Sequence, residues 1–245
     1  DRQYPMVDKF LRYLQVEKNT SPLTVKNYAA DISLFSNFLA ERLGKDFQWQ
    51  KIGVLDIRAY LALLNKEKYA RTTIARRISS LRSFYKFLMR ENYVEQNPFV
   101  KVRTPKLEKR LPVFLEELEI NEILTLPDKD TLGLRDQAIL ELLYATGCRV
   151  SELVGLTVTN IDLGSQYVLL LGKGNKERIV PIGHTCCQAV RQYLQVTRGA
   201  LMEKNKTEAH DKVFVNSRGG PLTDRSVRRI LDKYITPVSY THLRA

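Results

Sequence analysis

The chain has 245 residues, of which 44% are hydrophobic and 27% are charged. This balance argues against disorder, and no apolar stretch approaches the roughly 20 residues needed to span a bilayer. Three cysteines, two of them adjacent, make a poor disulfide framework and form no zinc pattern, so we expect a reducing cytoplasm. The formal net charge of +12 predicts a polyanionic partner, most often nucleic acid; a basic protein without such a partner is the alternative.

The positive charge is concentrated in the first half of the chain. Residues 1–107 hold 20 Lys and Arg against 10 Asp and Glu, whereas the remaining residues hold 19 against 17. Residues 97–112 contain prolines and charges without an apolar period, which indicates a linker. We therefore predict a first domain at residues 1–96 and a second at residues 113–235, with residues 236–245 as a tail that need not be native.

The first domain is predicted to be an all-α bundle. Apolar residues recur at three- and four-residue spacing along four segments. Ser21 is suited to cap the second helix, with Pro22 at its first position. The helices cover approximately residues 6–17, 22–39, 55–65 and 71–90.

The fourth of these helices contains basic residues and no acid. Like charges on one helix repel one another unless an anion lies alongside, and the neighbouring hydroxyl groups suit phosphate oxygens. We predict that this helix contacts DNA, with help from Lys26 on the second helix; a basic face turned to solvent is the alternative. The predicted contacts on the fourth helix are Arg71, Arg76, Arg77, Arg82 and Lys86.

The second half is predicted to be a mixed α+β domain. Apolar runs on both sides of a Gly- and Asn-rich turn predict a β-hairpin of residues 167–171 and 177–181. A further short strand is expected at residues 213–215. Helices are expected at approximately residues 116–126, 131–145, 150–156, 184–198 and 223–234.

The first candidate site lies between two helices, in the segment Ala-Thr-Gly-Cys-Arg149-Val-Ser-Glu152-Leu. Gly147 is suited to end one helix, and Arg149 then stands at the start of the next. A guanidinium group beside exposed backbone N–H groups is favourable only where an anion shares the site. Glu152, three residues on, can hold that side chain on the same face. An ordinary surface Arg–Glu pair is the alternative.

The second candidate site is the hairpin turn, Leu-Gly-Lys173-Gly-Asn-Lys176-Glu-Arg178. Gly172 and Gly174 leave Lys173 sterically open, so that it can act as a general acid or as a point charge for phosphate. The nucleotide-binding pattern GxxxxGK[ST] is absent. A surface hairpin with turn glycines is the alternative.

Taken in order, the two segments resemble the catalytic domain of the tyrosine recombinases. The likeness is closest to the Xer type, the bacterial chromosome-dimer resolvases, and extends to phage-type integrases. The opening helices, with the phrase Ser-Pro-Leu-Thr-Val-Lys-Asn-Tyr at residues 21–28, resemble the SAM-like core-binding domain, and Asn97-Pro98 resembles the interdomain boundary. The resemblance covers nearly the whole chain.

The resemblance implies DNA recombination in chromosome partition and cell division, carried out by a cytoplasmic, nucleoid-associated bacterial protein. Duplex DNA would be clamped between the two domains, and homo- or hetero-tetramers would act on two sites. Integration of a mobile element into DNA is the alternative reaction within this family.

The resemblance also assigns roles to single residues. Arg149 matches the first catalytic arginine, Lys173 matches the lysine that protonates the leaving oxygen, and Glu152 matches the acid behind them. Lys176 and Arg178 would contact neighbouring phosphates or bases. A tyrosine hydroxyl attacks the scissile phosphate, forms a 3′-phosphotyrosyl link and releases a 5′-hydroxyl, without metal or nucleotide.

The end of the chain departs from the family pattern. The family continues with H-x-x-R-H and then the nucleophilic tyrosine, whereas His242 and Arg244 are only two residues apart. Tyr240 follows Tyr234 too closely and is not assigned as the nucleophile. We expect the native sequence to stop near Ile235, and the catalytic domain to be incomplete at its C-terminus. The chain as given would then bind DNA without cutting it.

Two other classes of function remain open at this stage. A non-catalytic DNA-binding protein would compete with intact recombinases for their sites. A metal-dependent nuclease would need clustered carboxylates, but the acids of the second half show no such spacing.

Overall fold

The chain forms two compact units, Asp1–Leu111 and Pro112–Ala245. The computed structural model describes residues 5–105, 114–172, 174, 176–206 and 209–242. Among these residues the first unit is helical, and the second combines helices with a small antiparallel sheet. The predicted fold class, a helical bundle followed by a mixed α+β domain, is confirmed.

Within residues 5–105 the first unit contains four α-helices, all of which the sequence predicted to within a few residues. The second helix begins where its cap requires, because the Ser21 hydroxyl accepts a hydrogen bond from the Thr24 amide at 3.3 Å. A short 3₁₀ turn at Trp49–Lys51 was not predicted. The helices are α1 (Pro5–Val16), α2 (Pro22–Leu43), α3 (Val54–Lys66) and α4 (Arg71–Arg90).

Aromatic side chains fill the core of the first unit. Trp49 packs edge-on against Phe84 with the ring centroids 5.1 Å apart, and Phe35 lies 5.7 Å from Phe99. Phe99 is fully buried although it falls inside the predicted linker. The Arg82 guanidinium donates hydrogen bonds to the carbonyls of Phe99 and Val102. The chain after α4 is therefore fixed to the bundle at least as far as Val102.

The second unit is built around helix α6, whose buried residues face several directions and not a single stripe. Helix α8 continues through a π-helical segment, Tyr193–Arg198, into the short helix α9. In the described part of the chain, no helix is both long enough and apolar enough to cross a membrane. The helices are α5 (Glu117–Thr125), α6 (Thr131–Thr146), α7 (Val150–Gly155), α8 (His184–Gln192), α9 (Gly199–Met202) and α10 (Asp224–His242).

The sheet has three antiparallel strands in the order β1 (Ile161–Asp162), β2 (Tyr167–Leu171) and β3 (Glu177–Pro181). The predicted hairpin is confirmed, with Leu169 opposite Ile179 in its register. Val168 and Leu170 alternate toward the core and are fully buried. The strand predicted at residues 213–215 is wrong, because this stretch makes single bridges, such as Val215 with Pro221, and not a ladder.

A buried polar network attaches α10 to α6. The Tyr234 hydroxyl donates to Asp136 Oδ2 at 2.9 Å, and the Arg135 guanidinium donates to Oδ1 of the same carboxylate. Arg135 also donates to the Val215 carbonyl. Asp136 is almost completely buried, so it needs these donors to offset its loss of water. Helix α10 runs further than the sequence predicted and includes Pro237.

Candidate functional site

The turn between α6 and α7 determines where Arg149 lies. Helix α6 ends at Thr146, and Gly147 adopts a left-handed conformation (φ 56°) that glycine enters at little cost. The Gly147 amide donates to the Leu143 carbonyl, and the Cys148 amide donates to the Thr146 hydroxyl. Arg149 follows as the residue that precedes α7, and its side chain is 72% exposed. The predicted position of this arginine at a helix start is confirmed.

The Glu152 carboxylate lies beneath Arg149 and accepts hydrogen bonds from both the backbone and the side chain of that residue. The Arg149 amide donates to Oε2 at 2.9 Å, and Arg149 Nη1 donates to Oε1 at 3.1 Å. Only 3% of the Glu152 side chain is exposed, so this is a buried acid and not a surface partner. The Glu152 carboxylate thus fixes both the backbone and the side chain of Arg149, the predicted phosphate-binding residue.

Arg178 approaches the same carboxylate from strand β3. Its Nη1 donates to Glu152 Oε1 at 2.9 Å and its Nη2 to Oε2 at 2.7 Å, a two-point contact that a guanidinium group is shaped to make. Its side chain is 40% exposed. The sequence predicted that Arg178 contacts phosphates or bases; in the structure both of its terminal nitrogens bind Glu152.

The hydrogen bonds make Glu152 a strong acid. Those from Arg178 contribute most to lowering its pKa to about 2, those from Arg149 add to the effect, and burial opposes it. The same pairing raises the pKa of Arg178. Burial raises the pKa of the neighbouring Cys148 thiol, which therefore stays protonated at neutral pH. The cluster consequently combines one carboxylate with two guanidinium groups and carries a net positive charge.

The hairpin turn places Gly172 beside this cluster. The Gly172 amide donates to the Lys176 carbonyl at 2.8 Å, which closes the turn, and Gly174 has a left-handed φ of 76°. A Cβ atom on Gly172 would lie 3.5 Å from Glu152 Oε1, so the turn starts next to the carboxylate. Lys176 is exposed. Lys173, the predicted proton donor, lies outside the described residues.

On the first unit, four of the predicted DNA contacts are exposed to solvent. Three of them are Lys26 on α2 together with Arg71 and Lys86 on α4. The fourth, Arg76, forms an ion pair with Asp31, a buried acid on α2. The anion that the acid-free sequence of α4 requires is therefore supplied in part by the neighbouring helix.

Two predicted contacts on α4 face the protein instead of the solvent. Arg77 is buried with its Nε 3.8 Å from Asp31 Oδ1, and its guanidinium stacks on the Tyr69 ring at 4.0 Å. Arg82 is half-buried and binds backbone carbonyls of the segment after α4, as described above. Arg77 thus has almost no exposed surface, and the Arg82 guanidinium is engaged by carbonyls, so neither position favours the predicted phosphate contact.

Sequence reasoning missed Asp31, which pairs with Arg76 and accepts a hydrogen bond from Ser80 at 2.7 Å. Its only signal was an acid next to the apolar stripe of α2. It also missed Asp136, which α6 hides among apolar residues. Among the described residues, no cluster of three His, Cys, Asp or Glu could hold a metal ion. The Tyr240 side chain lies outside the described part of the chain.

Two family models match the chain in order. The model described as the phage integrase N-terminal SAM-like domain matches residues 7–92, and the phage integrase family model matches residues 113–243.

Curated relatives match over almost the full chain. The tyrosine recombinase XerC of Pelotomaculum thermopropionicum is 44% identical over 96% of this chain and 79% of its own length. The XerC of Bacillus subtilis is also 44% identical, over 96% of this chain and 77% of its length. The XerC of Bacillus pumilus is 46% identical over the same shares.

Solved structures agree on the fold. A lambda integrase dimer bound to a COC′ core site superposes with a TM-score of 0.68 at 16% identity, covering 96% of this chain and 78% of that one. A lambda integrase tetramer bound to a Holliday junction gives 0.66 at 18% identity, covering 96% and 63%. Together, the matched models and the XerC relatives show that this chain belongs to the phage integrase family, the tyrosine recombinases.

Proposed function

We propose that this protein is a site-specific recombinase of duplex DNA that acts in chromosome dimer resolution in the bacterial cytoplasm. The XerC relatives support the resolvase over the integrase of a mobile element. The lambda integrase tetramer on a Holliday junction supports assembly as a homo- or hetero-tetramer on two DNA sites. The excess of positive charge in the first half of the chain supports DNA as the partner.

The observation that carries this proposal is the Arg149–Glu152–Arg178 cluster. Arg149 keeps most of its side chain in solvent while its backbone and one Nη are held by a buried carboxylate. A fixed cation with free donors suits the charge that develops on the non-bridging oxygens of a phosphate during phosphoryl transfer. An ordinary surface ion pair would leave its acid exposed, whereas only 3% of the Glu152 side chain is exposed.

In the proposed reaction, Arg149 holds the scissile phosphate. The oxygen of a tyrosine hydroxyl bonds to phosphorus as its proton passes to solvent, the bond to the 5′ oxygen breaks, and Lys173 gives a proton to that leaving oxygen. The reverse attack by a 5′-hydroxyl rejoins the strands and conserves the phosphodiester bond energy.

The first unit is proposed to bind the flanking duplex. Lys26, Arg71 and Lys86 are exposed on α2 and α4, and Arg76 is exposed beside Asp31. These side chains are suited to phosphate contacts, which fix a protein on the duplex without reading its sequence. Arg77 and Arg82 are left out of the proposed contact set because of their positions in the fold.

Fluorescence anisotropy with a labelled duplex of mixed sequence tests the proposal. Affinity is expected to fall as salt rises, with about 0.9 log units lost per log unit of salt for each phosphate contact. Arg149→Ala and Lys86→Ala are each expected to reduce this slope by about one, while Glu177→Gln, a change on the same hairpin, serves as the control. Absence of binding at low salt would overturn the proposal.

A nicked duplex tests cleavage separately. An adduct that survives denaturing electrophoresis and maps to a tyrosine of this chain would identify the nucleophile. A chain that binds DNA and competes with an active recombinase on the same site would instead support the non-catalytic alternative.

A further inference from the structure

We infer that Arg178 is a positioning residue, which holds Glu152 so that the Arg149 side chain is fixed in the orientation that binds a DNA phosphate. This inference rests on the proposed function, since it assigns a role within that site. It differs from the sequence-based expectation, in which Arg178 itself contacts DNA.

The two arginines differ in how many of their side-chain nitrogens bind Glu152. Arg178 uses both terminal nitrogens on the two oxygens of Glu152. Arg149 uses only Nη1 on that carboxylate, and its side chain is nearly twice as exposed. Arg149 therefore keeps donors free for an external phosphate, whereas the two-point contact of Arg178 is directed at the protein.

The contact between Arg178 and Glu152 joins two elements that are distant in sequence. Arg178 lies on β3 just after the hairpin turn, and Glu152 lies on α7 just after Arg149. The Arg178–Glu152 pair is thus a direct link between the strand that follows Lys173 and the helix that follows Arg149. Gly172, at the other side of the turn, lies beside this link, since a Cβ there would be in van der Waals contact with Arg178 Nη1 and Glu152 Oε1 at 3.5 Å each.

Arg178 also stabilises the negative charge of the buried Glu152 carboxylate. A carboxylate that is almost wholly buried needs compensating donors, and Arg178 supplies two of them from a separate element. A lysine in its place would keep the positive charge but could not make the planar two-point contact. Arg178→Lys is therefore the informative substitution, since it changes geometry while conserving net charge.

A double-mutant cycle with DNA binding as the readout tests the inference. Arg178→Lys is expected to weaken binding of the labelled duplex about three- to tenfold in the otherwise unchanged protein. In an Arg149→Ala background the same substitution is expected to change binding by less than about twofold, because the group it positions is gone. Lys176→Ala, on the same turn, serves as the matched control and is expected to act equally in both backgrounds.

Two outcomes of the cycle would overturn the inference. If Arg178→Lys weakens binding equally in both backgrounds, Arg178 contacts DNA directly. If it changes binding in neither, the two-point contact has no role in the site.

Hydrogen exchange on the DNA-free protein provides a second readout. The Arg149 amide donates to Glu152 Oε2, whereas the Leu153 amide donates to the Arg149 carbonyl within α7. Arg178→Lys is expected to accelerate exchange of the Arg149 amide several-fold relative to the Leu153 amide. Equal acceleration of both amides would indicate general loosening of the fold and would count against positioning.

The two readouts separate this inference from the proposed function. If the unchanged protein fails to bind DNA but the Arg149 amide responds selectively, the proposed function is wrong and the link from Arg178 to Arg149 stands. If binding is normal and the cycle is additive, the proposed function stands and the positioning role is wrong.

Discussion

Replacing Glu152 with glutamine removes the charge at the centre of the candidate site while keeping the shape of the side chain. The carboxylate accepts hydrogen bonds from the Arg149 amide and from the side chains of Arg149 and Arg178. An amide group cannot accept at both ends, because its nitrogen is a donor. At least one arginine nitrogen would then face another donor, so we expect the second unit to lose stability.

The shift in the pKa of the Glu152 carboxyl gives the size of the expected loss in the free energy of unfolding. This pKa falls from the ordinary 4.5 to about 2, chiefly through the hydrogen bonds from Arg178, and this difference corresponds to about 3 kcal/mol. The two arginine side chains are 72% and 40% exposed, so solvent screens part of the interaction. We therefore expect Glu152→Gln to lower the free energy of unfolding by roughly 2 kcal/mol at neutral pH.

The effect should depend on pH in a defined direction. Because the pKa of Glu152 is lower in the folded than in the unfolded state, its stabilisation is complete above about pH 4.5 and is lost as the pH falls toward 2. The difference between the two proteins is expected to shrink by about half near pH 3. Urea denaturation at a series of pH values measures this difference.

The position of the single tryptophan provides an internal control. Trp49 is buried in the first unit, so its fluorescence reports unfolding of that unit, while far-UV circular dichroism reports both. Glu152→Gln should shift only the transition that the tryptophan does not report. Glu177→Gln, at an exposed position on β3, should shift neither by more than about 0.5 kcal/mol. A stability loss that is below this value, or that persists undiminished at pH 3, would refute the reasoning.

Three further predictions follow from buried polar groups and thiols. Asp31→Asn removes the charge that pairs with Arg76 and Arg77, so we expect the tryptophan-detected transition of the first unit to lose about 3 kcal/mol; an unchanged urea midpoint would contradict this. Tyr234→Phe removes the hydrogen bond to Asp136 and is expected to destabilise the second unit by about 1–2 kcal/mol, with an unaffected circular dichroism transition as the opposing result. The three buried cysteines, whose pKa values burial raises, should resist a thiol reagent at pH 7 and react after unfolding; rapid labelling of the native protein would argue against their burial.

Most of the helices and the hairpin could be predicted from the sequence, because both depend on local features. Ser21 and Pro22 define the start of α2, and Gly147 provides the left-handed residue after α6. The apolar run of β2 and the Gly-rich turn after it predict the hairpin, whereas the burial of Val168 and Leu170 on one face is known only from the structure. Periodicity fails at residues 213–215, because an apolar run becomes a strand only where a partner segment pairs along its length.

The sequence by itself also determined that Arg149 lies at a helix start and that Glu152 follows it by three residues. Helix geometry brings residues at this spacing to one face. Only the tertiary structure decided that Arg178 completes this cluster and that Arg77 faces inward toward Asp31. Periodicity marks the apolar face of a helix, but it does not say which long polar side chain lies at the edge of that face. The partner of a buried charge is chosen by the packing of elements distant in sequence, because the charge is stable there only if that packing supplies a counter-charge.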